Sequence, residues 1–193
     1  MKNTQELIDL LHLDDLEYNT FRGKSVTIGS AIVFGGQVLA QAVNAAYRTI
    51  PTNRFLHSLH AYFLEAGDLT TDIQYHVTEM RNGGSFSTRR ITATQHDKTI
   101  FIMAASFHQK EEGFEHQIEM IQPEKQPEEL LSWDEMFAQF GDFLPASTKS
   151  FLSAERPIDF KPVHVQNPFE PENLPPKVEI WFKLKGEIPT INI

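Results

Sequence analysis

The 193 residues carry a net charge of −9, are 40% hydrophobic with 15 Phe, and contain no cysteine. Without cysteine there are no disulfides, thiolate nucleophiles or Cys-ligated zinc, and a reducing, cytoplasmic compartment fits. No apolar run reaches the length of a membrane span, Met1–Thr4 does not open a signal peptide, and no basic stripe suited to nucleic acid is present.

The charge is unevenly spread. Residues 111–135 hold nine acidic side chains against one Lys, which reads as a solvated acidic linker. Ten of the eleven prolines follow residue 122, with Pro51 alone before it. The expected organisation is therefore a compact domain over 1–110, an acidic linker with a short amphipathic helix over 111–153, and the first strands of an incomplete second domain over 154–193.

In chain order, Asn3 to about Leu13 predicts a short amphipathic helix, with Asn3 and Glu6 at capping-box spacing. Phe21 begins an extended segment reaching about Ile28. From Val33 to Thr49 the chain is apolar or small except for Gln37, Gln41, Asn44 and Arg48, which fall in one stripe at steps of four, three and four. That pattern predicts a buried helix, stopped before Pro51. Gly35 and Gly36 stand in its first turn, where they either bring a ligand against free N–H groups or permit close packing.

Four strands are then predicted. Phe55–Leu64 is nearly all apolar and is expected to be buried on both faces. Leu69–Arg81 alternates, so it is expected to be half-solvated. Asn82-Gly83 predicts a type I′ hairpin turn. Phe86–His96 and Thr99–Gln109 pair through a turn at Asp97-Lys98. One sheet can bury one long apolar helix only by curling around it, which is the α+β hot-dog fold. Its open sheet edge calls for a partner, so pairing of two such units as a homo-oligomer is expected.

Beyond the linker, Leu130, Trp133, Phe137, Phe140 and Leu144 recur at helical spacing. Ile158–Val165 and Val178–Leu184 are strand-like. The apolar face of the second strand (Val178, Ile180, Phe182, Leu184) requires a cover.

Gly23-Lys24-Ser25 lacks the first glycine of a phosphate-binding loop, since Tyr18 stands there. Gly83-Gly84-Ser85-Phe86-Ser87 lacks the closing glycine of a nucleophile elbow. His57 and His60, three apart in a strand, are expected on opposite faces and so cannot share a metal; no metal site is predicted. Each reads as a core or interface histidine, with His57 the better functional candidate because it is expected to share the face of Leu59 and Phe63. Arg81, Arg89, Arg90 and Lys98 near the hairpin turns either receive phosphates or are ordinary exposed strand charges. The central helix carries no Asp or Glu, so a helix end able to hold a carbonyl has no evident general base.

Together Phe21-Arg22-Gly23, Val33-Phe34-Gly35-Gly36-Gln37-Val38 with Gln41-Ala42, His57-Ser58 with His60-Ala61-Tyr62-Phe63-Leu64 and Gly67-Asp68, Arg81-Asn82-Gly83-Gly84-Ser85-Phe86-Ser87 with Arg89-Arg90, Gly113-Phe114-Glu115-His116, and Arg156-Pro157 with Asn167-Pro168 resemble the acyl-CoA thioesterase II family. The resemblance spans nearly the whole chain. It implies the first half of a double hot-dog that hydrolyses fatty acyl-CoA to free fatty acid and coenzyme A, with no cofactor beyond the coenzyme A of the substrate. It implies that the water-activating Asp, Thr or Ser, and Gln belong to the second hot-dog, beyond Ile193, so that this chain scaffolds and lines the acyl/CoA site. His57 matches a family histidine proposed to matter for activity. Phe34, Gly35, Gly36, Gln37, Arg81, Asn82, Gly83, Gly84, Ser85, Arg89 and Arg90 become candidate substrate-binding residues. The alternative class is a non-catalytic acyl-CoA-binding module, and a weaker one is a hot-dog dehydratase.

Overall fold

The computed structural model describes residues 2–28, 30–167, 169–170 and 172–187. Residues 188–193 of the third predicted segment, and Pro168 of the Asn-Pro motif, lie outside them. The described residues form two compact units, one running from Glu6 to Phe114 and the other from Glu115 to Glu187 together with residues 2–5.

The unit to Phe114 contains most of helix α1 (Thr4–Leu11), then β1 (Asp14–Asp15), β2 (Thr20–Gly23), α2 (Gly35–Tyr47), β3 (Arg54–Phe63), β4 (Ile73–Asn82), β5 (Phe86–Gln95) and β6 (Lys98–Gln109). The strands form one antiparallel sheet in the order β1-β2-β4-β5-β6-β3. Alternation decides which face is inner. Ile73, Tyr75 and Val77 of β4, Ile91 and Ala93 of β5, and Phe101, Met103, Ala105 and Phe107 of β6 are all buried, and they form one core with Val38, Ala42, Ala45 and Ala46 of α2. The small residues of α2 let the helix lie close to the sheet.

Its polar stripe has a definite task. Gln41 Nε2 donates to Leu10 O (2.7 Å) and Lys24 O (3.1 Å), Asn44 Nδ2 to Leu11 O (2.5 Å), and Arg48 Nη1 to Leu13 O (2.7 Å). Gln37 Nε2 donates to Lys24 O (2.8 Å). These side chains satisfy the end carbonyls of α1 (Leu10, Leu11) and those of the irregular backbone that follows it (Leu13, Lys24), which would otherwise be left without a helix partner. Gly23 is needed because a Cβ there would lie 2.7 Å from the Gln41 side chain.

Two expectations are corrected here. β3 is an edge strand bonded only to β6, so its apolar residues are not buried on both faces; Phe55, Tyr62 and Phe63 are each more than half exposed. The type I′ turn lies at His96-Asp97, whose φ values are 48° and 58°, whereas Asn82-Gly83 stays out of the left-handed region. The β4–β5 connection is instead a three-residue loop, closed by Gly83 N–H donating to Phe86 O (2.8 Å) and gripped by Arg54 Nη2 on Gly83 O and Gly84 O.

In the other unit, α3 (Trp133–Phe140) starts at a Ser132–Glu135 capping box, and α4 (Ala146–Leu152) precedes a hairpin of β7 (Ile158–Pro162) and β8 (Ile180–Leu184). Hydrogen bonding from the Ser132 backbone and hydroxyl holds the Glu135 carboxyl below its ordinary pKa. The predicted helical run to Leu144 stops at Phe140, where a 3₁₀ turn, Gly141–Phe143, takes over. Trp133 stacks on Phe160 at 4.5 Å with the Arg156 guanidinium 4.7 Å over its ring. Phe182 of β8 and Val178 just before it are largely exposed while Ile180 and Leu184 are half-buried, so the apolar face of β8 is only partly covered among the described residues.

Candidate substrate site

Phe34, in extended conformation (φ −67°, ψ 127°), caps α2 without a side-chain hydrogen bond. Its carbonyl accepts from Gln37 N–H (3.0 Å) and Val38 N–H (3.3 Å), and the N–H groups of Gly35 and Gly36 open the helix with no intrahelical acceptor. A Cβ on Gly35 would sit 3.0 Å from the Phe63 ring, and one on Gly36 would sit 2.4 Å from the Phe34 ring. Both glycines are therefore in close aromatic packing, and a side chain at either would make the neighbouring ring move. Beside this helix start lies a cavity of about 440 Å³ whose walls include Ile32, Val33, Gly35, Val38, Phe63 and Phe101. Its lining is apolar apart from backbone and one carboxylate, Glu65. Such a space suits an apolar chain with one hydrogen-bond acceptor presented to the helix start.

Glu65 escaped the reading of the sequence, which looked for a carboxylate on the helix and found none. It follows β3 and reaches the cavity because Leu64 N–H and Glu65 N–H both donate to Ile100 O (2.8 and 3.2 Å). No periodicity signals that convergence.

The other candidate residues lie elsewhere. Arg89 is 1% exposed beneath the sheet at the far end of α2. Its Nε donates to Thr49 Oγ1 (2.8 Å), its Nη1 to Arg81 O and Thr88 O, and its Nη2 to Thr49 O (2.7 Å) and Asn82 Oδ1 (2.8 Å). Glu79 lies 3.5 Å away, itself accepting from Tyr18, Asn19 and Asn82. Burial lowers the Arg89 pKa while Glu79 acts in the opposite sense. Arg89 thus fastens the end of α2 to β4 and β5, and Asn82 belongs to the same network. Arg54, which the sequence reading missed, is a second such fastener: Nη1 donates to Ser87 Oγ (2.6 Å) and Nη2 to the Gly83 and Gly84 carbonyls.

Arg81 and Arg90 are exposed, and Arg90 pairs with Thr78 and Ala104 on the sheet face turned away from α2. Ser85 O accepts from Gln109 N–H (3.1 Å), and its hydroxyl bonds the Glu111 carboxylate. Lys98 is at the opposite end of the β5–β6 hairpin from Gly83–Ser85, so the four cations do not form one cluster. The cavity and the Gly83–Ser85 loop are separated by the length of α2, roughly 20 Å for 13 residues.

His57 is also displaced from expectation. A bulge between Leu56 and Ser58 adds one residue to β3. That extra residue puts His57 on the outer face, where Nε2 lies 2.8 Å from Ser106 Oγ and the ring meets Phe86 and His108 edge-on. His60, opposite Ala104, shares that face rather than opposing it, whereas Leu59 and Phe63 are on the inner one. Gln37 is buried, and its Oε1 finds no partner among the described residues. No described helix is long and apolar enough to cross a membrane.

Residues 22–108 match the family described as acyl-CoA thioesterase N-terminal domain. The chain is 41% identical over 183 residues to acyl-CoA thioesterase 2 of Haemophilus influenzae, covering 95% of this chain and 64% of that protein. It is 34% identical over 188 residues to human acyl-coenzyme A thioesterase 8, covering 93% and 58%. Among solved structures, an acyl-CoA thioesterase II of Mycobacterium marinum superposes with a TM-score of 0.69 at 31% identity, over 95% of this chain and 62% of that one. A hot-dog protein of unknown function from Alicyclobacillus acidocaldarius reaches 0.71 at 15% identity, over 94% and 63%, which supports the α+β hot-dog fold alone. The chain spans about 60% of the length of these relatives.

Proposed function

We propose, from the premise that this chain belongs to the acyl-CoA thioesterase family, that it is the N-terminal portion of a double hot-dog enzyme hydrolysing fatty acyl-CoA to fatty acid and free coenzyme A. The observation that carries the reading is the apolar cavity beside the uncapped start of α2, inside the segment that matches the thioesterase domain. In this reading the cavity receives the acyl portion, Gly35 lines it, and Phe34 and Gly36 flank Gly35 where the helix N–H groups meet the thioester end. Exposed Arg81, beside the Gly83–Ser85 loop, and exposed Arg90, on the outer face of β5, remain the candidates for phosphate contacts, while buried Arg89 and Gln37 and the exposed Asn82 serve the fold. The chain adds no cofactor, because coenzyme A arrives with the substrate.

Water activation is assigned to the Asp, Thr or Ser, and Gln of a second hot-dog. The incompletely covered apolar face of β8 and the partial coverage of the relatives support that division. The exposed apolar edge of β3 supports pairing of hot-dog units, including homo-oligomers. Lack of cysteine fits a cytoplasmic setting.

The test is release of free coenzyme A thiol from a long-chain acyl-CoA. Residues 1–193 alone are expected to give no turnover, and a chimera joining them to the uncovered part of the Haemophilus influenzae relative is expected to give it. Turnover by 1–193 alone overturns the division of labour. A folded chimera that never hydrolyses acyl-CoA overturns the thioesterase reading.

A further inference from the structure

Three metal-binding side chains converge in the unit that begins at Glu115, far apart in sequence and unrelated to the acyl cavity. They are Glu124 of the acidic segment, His164 after β7 and Glu179 before β8. His164 Nε2 lies 3.2 Å from Glu124 Oε2 and 4.0 Å from Glu179 Oε2, and all three donor atoms fall within 4.8 Å of one another. Tetrahedral zinc with bonds of about 2.1 Å requires donors roughly 3.4 Å apart. The group is thus near that spacing, and small side-chain rotations reach it.

The backbone beneath each donor is restrained. Val163 N–H donates to Glu179 O (3.0 Å), extending the β7–β8 ladder to the residues that carry His164 and Glu179. The residue after Glu124 is pinned by Trp181 Nε1 donating to Lys125 O (3.0 Å), and two residues on Lys161 Nζ donates to Pro127 O (2.9 Å). Lys177 Nζ holds Glu179 Oε1 at 3.0 Å, which leaves Oε2 turned toward His164. The imidazole separates this group from an ordinary cluster of surface acids. A neutral His with two carboxylates is a donor set for zinc-like ions, and its two negative charges match one divalent cation.

We propose that Glu124, His164 and Glu179 form a three-donor site for a zinc-like divalent transition-metal ion, with solvent completing its coordination. The ion would tie the acidic segment to the β7–β8 hairpin, so the site is structural and independent of the thioesterase reading. Its sequence separation explains why no spacing motif announces it.

The test is calorimetric titration of Zn²⁺ into the chelator-stripped 193-residue chain, with Ni²⁺ quenching of tryptophan fluorescence as an optical readout through Trp181. One saturable equivalent per chain is expected, with a higher melting temperature when it is bound. His164→Ala and Glu124→Gln should each weaken binding at least about tenfold, whereas His57→Ala, in the other unit, should leave it unchanged. Metal-free melting curves of the variants matching the parent chain would assign the loss to ligation. Absence of saturable binding, or binding that survives both ligand substitutions, overturns the site.

Discussion

Arg89→Met separates a structural arginine from a ligand-binding one. The substitution keeps most of the side-chain length and removes every donor. Thr49 O and Arg81 O then lose the partner supplied by a side chain that is only 1% exposed, while Asn82 Oδ1 retains Ser87 Oγ at 3.3 Å. Each buried acceptor left bare costs about 1–3 kcal/mol. Glu79 loses its buried counter-charge but is itself about one-third exposed and keeps three other donors, so its share is small. The total is about 3–5 kcal/mol, in the range for breaking one side of a buried charged network. For a chain of this length that is roughly 6–20 °C in melting temperature. Thermal unfolding followed by circular dichroism should show this loss, and Arg90→Met, on the exposed outer face, should stay within about 0.5 kcal/mol of the parent. An Arg89→Met chain that melts like the parent and instead binds acyl-CoA more weakly would refute the reasoning.

Gln41→Leu removes the donor to Leu10 O and Lys24 O and the acceptor of the Tyr75 hydroxyl (2.8 Å), all around a fully buried site; a loss of about 3–5 kcal/mol is expected by denaturant titration. The Asp68 carboxyl is lowered from 3.8 to about 2, chiefly by the Thr70 backbone N–H and then by His96 and the Thr70 hydroxyl. Because the folded value is the lower one, its contribution is present above pH 3.8 and is lost as pH falls toward 2. Melting temperature against pH should therefore fall less steeply over that interval for Asp68→Asn than for the parent; equal slopes would remove Asp68 from the acid response. If β3 pairs with another hot-dog unit, Tyr62→Lys should shift the mass measured by light scattering toward the monomer, since charge on an edge strand opposes pairing.

Much of the first unit was legible because two simple periods run through it. The step of 3.6 marked α2, and the step of two marked β4, β5 and β6. Parity could even have separated the two arginines, since Arg89 is in phase with Ile91 and Ala93 while Arg90 is not. The partners of the α2 stripe were not legible, because backbone carbonyls of Leu10, Leu11, Leu13 and Lys24 leave no side-chain signature. A single bulged residue was equally silent, yet it moved His57 to the other face. β3 misled for a different reason: its composition suits a central strand, but composition does not report position in the sheet. Glu65 reached the cavity through a turn made by long-range pairing with Ile100, and local pattern carries no information about such meetings.

The stripe on α2 also has a consequence for the order of assembly. Strands β4, β5 and β6 follow one another directly, so each pairing closes only a short loop. By contrast Gln41, Asn44 and Arg48 meet carbonyls 31, 33 and 35 residues earlier, and each bond requires α2 and the end of α1 or the segment just after it to arrive together. Loop-closure entropy favours a folding nucleus in the three-strand meander, with the helix and its attached leader docking afterward. Damage to the stripe should then leave the refolding rate nearly untouched and appear as faster unfolding. The helix at the core of its unit would be among the last parts to be fastened and the first to come loose.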